Sequence, residues 1–289
     1  MSPLLPWLSR RSLRHLHALG AAMGWLAYAL SPSYRRHLNE NARLAGVGDA
    51  DRRAAIADAG KLVAELPRLW LRPPEQAITD PVQWDGLELV QELLARGKGL
   101  VVLTPHMGSF EVSAQAYVER FGRTQPMTAL FRPARQAWLR ELEETARARP
   151  GLATAPANLA GVRQLMRALR RGETVGILPD QVPPEGMGVW SPFFGQPAYT
   201  MTLAARLIQQ TGAAPVVIWT ERRPKGAGYI VHARPLAVPL PESTDEEAAS
   251  ALAMNRSMEA VILEKPSQYL WGYNRYKNPR QVQAEGPAS

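Results

Sequence analysis

The sequence predicts an α/β fold: a mostly parallel central sheet flanked by helices, with an N-terminal membrane-associated helix in front of it. Three observations predict it. The apolar runs "GLVVLTPH" (99–106), "PMTALFR" (126–132) and "TVGILPDQ" (174–181) are short, continuous and rich in β-formers, as buried parallel strands are. Helical stretches separate them, and strand–helix alternation argues crossovers that bring each strand back parallel to the last. The first 30 residues are largely apolar and carry arginines on their flanks.

The chain has 289 residues, 46% of them hydrophobic, which suffices for one large domain plus a helical extension. The expected division is residues 1–33 as the N-terminal helix and 34–289 as the main domain. Lys and Arg number 34 against 26 acidic residues, a formal charge of +8. That charge suits anionic lipid, nucleic acid or an acidic protein partner, and does not choose among them. There is no Cys, which excludes disulfides, thiolate zinc sites and a cysteine nucleophile.

Taken in order, the elements read as follows. Arg10, Arg11 and Arg14 precede an uncharged stretch from Ala18 to Ser33, and Arg35 and Arg36 follow it. The stretch is shorter than the ~20 residues that span a bilayer. It reads as an uncleaved helix in or dipping into the membrane interface, with Trp7, Trp25 and Tyr28 at headgroup depth. The competing reading is a helix packed on the main domain. Residues 34–71 look helical, with Asp49 or Asp51 as an N-cap, and "RPPEQ" (72–76) breaks the pattern. "DGLELVQELLARGKG" (85–99) is amphipathic and ends in Gly97 and Gly99. Helices over 109–122, 136–151 and 158–173 then alternate with the strands. A Pro/Gly-rich loop (182–198) leads to a helix (200–212), two strands (214–223 and 228–236), a last helix (about 245–264) and a polar-aromatic tail.

In a parallel α/β sheet, ligands bind beyond the carboxyl ends of the strands. His106 ends one strand and Glu111 lies in the first turn of the next helix, with Ser109 as N-cap and Gly108 freeing the turn between them. Such a pair suits a general base whose tautomer is set by a carboxylate, although a lone His near a Glu is more often structural. Neither the H-E-x-x-H spacing of a zinc site nor the G-x-S-x-G turn of a hydrolase is present. No metal site or cofactor is expected. Asp180 and Gln181 close another strand at the same edge. Trp190, Phe193 and Phe194 follow in an apolar loop that would grip an acyl chain, enter lipid or cap the core. Arg132 and Arg135 follow the strand between; Arg132 suits bidentate phosphate binding and Arg135 reads as surface.

These motifs occur in one order: H-x-x-x-x-E after an apolar strand, F-R-P, I-L-P-D-Q, P-F-F-G-Q-P-A, and "PSQYLWGYNRYKNP" (266–279). In this the chain resembles the lipid A biosynthesis lauroyl/myristoyl acyltransferases of the bacterial inner membrane, from the N-terminal helix to about Pro279. The H-x-x-x-x-E element alone is shared with the wider glycerolipid acyltransferases. The resemblance implies a glycerolipid acyltransferase-like fold, an acyl carrier protein thioester as donor and a lipid A precursor hydroxyl as acceptor, at the cytoplasmic face of the inner membrane. It makes His106 the general base and Glu111 its partner, and puts Arg132, Asp180, Gln181, Phe193, Phe194 and Gly195 among the substrate-binding residues. Backbone N–H groups after His106 are the expected oxyanion donors. The absent cysteine fits direct attack on the thioester. Phe110 stands where a bulky Trp is common and Asn274 where a basic residue is usual, departures that bear on the acceptor. An acyltransferase for another lipid, a thioester hydrolase and a non-enzymatic membrane-surface protein are the alternatives. Nucleic acid is not expected, since the aromatics do not interleave with basic residues as in RNA-binding sheets.

Overall fold

The computed structural model describes residues 4–281 apart from 133 and 135. The expectation for Arg135, and the extreme ends of the two expected divisions, lie outside the described residues. Four helices come first: α1 (Leu4–Ser9), α2 (Leu13–Leu30), α3 (Pro32–Leu44) and α4 (Asp49–Trp70). The alternating part follows as β1 (Val82–Asp85), α5 (Leu87–Ala95), β2 (Leu100–Leu103), α6 (Phe110–Phe121), β3 (Met127–Phe131), α7 (Ala137–Arg147), β4 (Leu152–Pro156), α8 (Leu159–Arg170) and β5 (Thr174–Ile177). Then come β6 (Gly188–Phe193), β7 (Gln196–Met201), α9 (Leu203–Thr211), β8 (Ala214–Arg222), β9 (Tyr229–Arg234) and α10 (Glu247–Glu264).

The main sheet has the order β1-β9-β8-β2-β5-β3-β4. From β8 to β4 every pairing is parallel; β9 runs antiparallel to β8, and β1 parallel to β9. This is the expected α/β sheet. All residues of β2 and β5 are buried, as central strands covered on both faces must be. Their side chains alternate between two cores. Val101 and Leu103 join one cluster with Val175 and Ile177, while Leu100 and Val102 join another with Val216 and Ile218.

Two strands of the main sheet were not expected, β1 and β4. Both are sheet edges and bury only part of their length, so neither carries an apolar run. The expected loop at 182–198 is in large part a hairpin, β6 paired antiparallel with β7. Pro192 and Pro197 hid it, because proline is confined to unpaired edges, and this two-stranded ribbon is all edge. Phe193 pairs with Gln196, and the residues between, Phe194 and Gly195, both have positive φ (46° and 75°), as a type I′ turn requires.

The N-terminal layer is held to the domain by close backbone approach. On α2, Leu13, Leu16, His17, Gly20 and Gly24 form the buried face. Gly20 and Gly24 meet Gly60 of α4 so closely that a Cβ on Gly60 would run into the Gly20 carbonyl. Glu65 of α4, fully buried, receives His17 Nε2 at 3.1 Å, Arg222 Nη1 at 3.2 Å and the Tyr229 hydroxyl at 3.3 Å. The opposite face of α2 is open: Leu19, Met23, Leu26 and Leu30 recur at helical spacing and are exposed, as are Leu4 and Trp7 of α1. Among the described residues no helix is long and apolar enough to cross a membrane.

Replacing Gly60 with Leu is expected to lower stability by about 1–3 kcal/mol through forced separation of α2 from α4. Gly48→Ser, at an N-cap with open space around it and no side-chain capping bond, should be neutral or slightly stabilising. Urea unfolding of the two variants checks the contrast.

Candidate active site

β2 and β5 are parallel neighbours, and the pairing continues one step beyond them: the Thr104 N–H donates to the Ile177 carbonyl at 3.0 Å. The two chains therefore leave the sheet side by side. Two residues after Thr104 stands His106, and three after Ile177 stands Asp180. The His106 backbone N–H donates to Asp180 Oδ2 at 2.9 Å, and its ring Nδ1 lies 2.7 Å from Asp180 Oδ1. An ionised carboxylate only accepts, so Nδ1 carries the proton and Nε2 presents a lone pair. Among the described residues Nε2 makes no hydrogen bond.

Asp180 is 2% exposed. Burial pushes its carboxyl up, but the charge and two hydrogen bonds of His106, with the charge of Arg275, outweigh that and hold it below the usual carboxylate range. Tyr269 packs beside it. Burial first, and then the charge and hydrogen bond of Asp180, raise the Tyr269 phenol well above its ordinary value, so this hydroxyl is a donor at neutral pH. Arg275 is buried and anchored on the Tyr199 carbonyl at 2.7 Å and Thr200 Oγ1 at 2.9 Å.

Here the structure corrects the sequence reading. Glu111 does not hydrogen-bond His106. It is buried on α6 with Oε1 accepting from Arg147 Nη2 at 2.6 Å and Oε2 from Trp70 Nε1 at 3.3 Å. Its carboxylate is turned toward α4 and α7, and Asp180 holds the place on the imidazole. The set of backbone N–H groups after His106 that are free to serve as oxyanion donors narrows. The N–H of Met107 donates to Pro105, that of Gly108 to the Gln268 carbonyl at 2.9 Å, and that of Ser109 to the Thr220 carbonyl at 2.8 Å. All three are committed, which leaves the Phe110 and Glu111 N–H groups at the start of α6. Ser109 occupies the N-cap position, but its side chain makes no capping bond. Gly108 is obligatory: its φ is 55°, and a Cβ there would collide with the Thr220 carbonyl.

The remaining expected residues scatter around this centre. Arg132, just past β3 at the same sheet edge, is exposed and makes no ion pair or hydrogen bond among the described residues. Gln181 is half-buried beside Asp180. Phe193 is buried, not part of an exposed aromatic loop, with the Arg275 guanidinium 5.0 Å from its ring centre. Phe194 is partly buried; its N–H donates to Glu259 at 2.6 Å and its ring lies 5.7 Å from Trp271, which in turn stacks edge-on with Tyr269 at 4.7 Å. Gly195 is the exposed tip, and Trp190 is also exposed. Four residues of the arrangement were missed. Tyr269 and Arg275 lay within a tail motif that was noted without assigning their roles, whereas Trp70 and Arg147 carry no sequence signal. Among the described residues no three His, Asp or Glu side chains gather in a way that would hold a metal ion.

Residues 10–278 match a family model described as bacterial lipid A biosynthesis acyltransferase. The chain is 24% identical to the lipid A biosynthesis lauroyltransferase of Escherichia coli K12, over 91% of this chain and 85% of that relative. It is 26% identical to the myristoyltransferase of the same strain, over 87% and 77%. To the palmitoleoyltransferase it is 27% identical, over 75% and 68%.

The depressed Asp180 titration has a signed consequence. Its contribution to stability is present above the ordinary carboxylate range and is lost as pH falls through the depressed value. Urea unfolding at neutral pH and at about pH 3 should show Asp180→Asn with a smaller acid-induced loss than the parent, and a lower stability at neutral pH.

Proposed function

The chain belongs to the bacterial lipid A biosynthesis acyltransferase family and is an acyltransferase; from that premise we propose that it moves a fatty acyl chain from an acyl carrier protein thioester to a hydroxyl of a lipid A precursor. His106 is the general base. The observation that carries this reading is the imidazole fixed through Nδ1 by buried Asp180, with Nε2 open at the carboxyl edge of a parallel sheet.

Nε2 takes the hydroxyl proton as the acceptor oxygen attacks the thioester carbonyl. Asp180 holds the ring in the reactive tautomer and stabilises the imidazolium that forms. The oxyanion of the tetrahedral intermediate is met by the uncommitted N–H groups of Phe110 and Glu111, where the positive end of the α6 dipole also favours it. When the intermediate collapses, the C–S bond breaks and the imidazolium returns its proton to the leaving thiolate. Glu111 acts by position: bonded to Trp70 and Arg147, it keeps the start of α6 where those donors are needed. Arg132, uncommitted at the same edge, is suited to a phosphate of donor or acceptor. Gln181 and the Phe193–Phe194–Gly195 turn shape the surroundings, with the partly buried Phe194, backed by buried Trp271, offering apolar surface for the acyl chain.

The setting we propose is the cytoplasmic face of the inner membrane. The exposed stripe of α2, with Trp7, Trp25 and the flanking arginines, supports a helix lying in the interface rather than crossing it. The chain's +8 charge suits both the acidic carrier and the anionic leaflet.

Lipid A mass spectra of the parent cell and of a deletion strain should differ by one acyl increment that His106→Ala does not restore. Full restoration by His106→Ala would remove the imidazole from the chemistry. An unchanged lipid A in the deletion strain would move the acceptor to another lipid. With purified protein, Asp180→Asn should lower kcat by about 10²–10⁴-fold with little change in KM. Glu111→Ala should lose activity together with thermal stability, because Arg147 and Trp70 are then left without their shared acceptor.

A further inference from the structure

A cleft of about 400 Å³ opens between α2 and the turn joining β8 to β9. Its walls carry Arg14 of α2, Lys61 of α4, Arg223 and Lys225 of the turn, and Lys265 past α10. Nearby carboxylates are mostly committed. Asp58 and Glu65 are bonded to Arg222, Asp58 also to Lys61 at 3.3 Å, and Glu221 to Lys265 at 3.1 Å. Arg14, Arg223 and Lys225 have no ion pair or side-chain hydrogen bond among the described residues. They form a local surplus of positive charge facing one space.

The turn is built to hold that charge in place. Lys225 has φ 58° and ψ 22°, a left-handed conformation that a lysine adopts at a cost. Gly226 beside it lies against the backbone of Leu13 and Arg14, so closely that a Cβ would not fit. The strained lysine and the first turn of α2 are thus fastened together. Along α2, positions 14, 18, 21 and 25 follow one ridge. Arg14 starts it, Ala18 and Ala21 line the cleft, and exposed Trp25 ends it. A cationic cleft continuing into a strip of small apolar residues and a tryptophan matches a molecule with an anionic head and a hydrocarbon tail.

We propose that this cleft binds the phosphate of a lipid at Arg14, Arg223 and Lys225, with the lipid's chain laid along Ala18 and Ala21 toward Trp25. The cleft is separate from the His106 centre but joined to it. Gln268 lines the cleft, exchanges hydrogen bonds with the Arg222 backbone at 2.9 Å, and accepts from the Gly108 N–H in the catalytic turn. Two sources supply such a phosphate, a bilayer phospholipid and the acceptor itself; the acceptor case rests on the proposed acyl transfer.

The test uses the full chain carrying Arg14→Gln, Arg223→Gln and Lys225→Gln together. Its control carries Arg163→Gln, Arg167→Gln and Arg170→Gln on α8, an equal change in net charge. Vesicles of phosphatidylcholine alone, and of equal parts phosphatidylcholine and phosphatidylglycerol, are compared for binding. KM and kcat for the lipid acceptor are measured in phospholipid-free micelles. If a bilayer phospholipid occupies the cleft, the first triple variant loses roughly a hundredfold of its binding to the anionic vesicles, keeps its micellar KM, and leaves the control far less affected. If the acceptor's phosphate occupies it, KM rises at least tenfold in micelles while kcat is kept. The single variant Arg223→Gln should give about a fivefold effect of the same kind, which covers a triple variant that fails to fold. Unchanged vesicle binding and unchanged KM would overturn the proposal, as would an equal loss in the α8 control. Should the parent protein show no acyl transfer at all, the functional reading fails, while the vesicle comparison still decides the cleft.

Discussion

A carboxylate taken out of water must be compensated on every side, and the buried charge of Asp180 organises the carboxyl edge of the sheet, where the proposed site lies. Two of its compensating bonds come from one residue, the backbone and ring of His106. That is available only because β5 and β2 are parallel neighbours whose chains leave the sheet in register. The rest comes from the C-terminal tail, where Tyr269 and Arg275 approach the same carboxylate. The tail is sewn onto the catalytic turn as well: the Leu270 N–H donates to the His106 carbonyl at 3.1 Å. So the 266–276 segment belongs to the site although it lies far away in sequence.

A second buried carboxylate, Glu65, does the same work beneath the N-terminal helices. Burial pushes its titration up, yet the charge of Arg222 and the bond from His17 pull it below the ordinary value, so it is held as an anion between α2, α4 and β8. Strand β8 connects the two hubs. Arg222 answers Glu65, while Thr220, two residues earlier, accepts from Ser109 and hydrogen-bonds Ser113 at 2.8 Å. The N-terminal helices and the His106 turn are therefore both referenced to one strand, with Gln268 bonded to both β8 and the turn.

What was legible in the sequence follows from what is local. β2, β3, β5 and β8 announce themselves because central strands are apolar on both faces; β1 and β4, at the edges, do not. His106 and Asp180 were each placed correctly at strand ends, but their pairing depends on strand order, and order is written in long-range contacts rather than in any short motif. Glu111 was assigned to His106 because a turn freed by Gly108 could fold the imidazole back over the first turn of the helix. Once α6 starts at Phe110, its first turn directs that carboxylate toward Trp70 and Arg147. The prolines of the 188–201 hairpin signalled a loop, and only the pairing of Phe193 with Gln196 shows the ribbon they decorate.

The division of labour between the two carboxylates has a chemical logic. A general base must accept a proton and then give it up, in the proposed transfer to the departing thiolate. A second uncompensated carboxylate against the same imidazole would stabilise the protonated ring and slow the return step. Turning Glu111 away and pairing it with Arg147 keeps its charge from the imidazole while retaining the residue at the head of α6. There its side chain ties the helix to Trp70 and Arg147, and its own N–H stays available to the oxyanion of the proposed reaction. On the proposed mechanism, one carboxylate thus tunes the base and the other positions the donors. Each role needs its residue at the position it holds, Asp180 just past β5 and Glu111 in the first turn of α6.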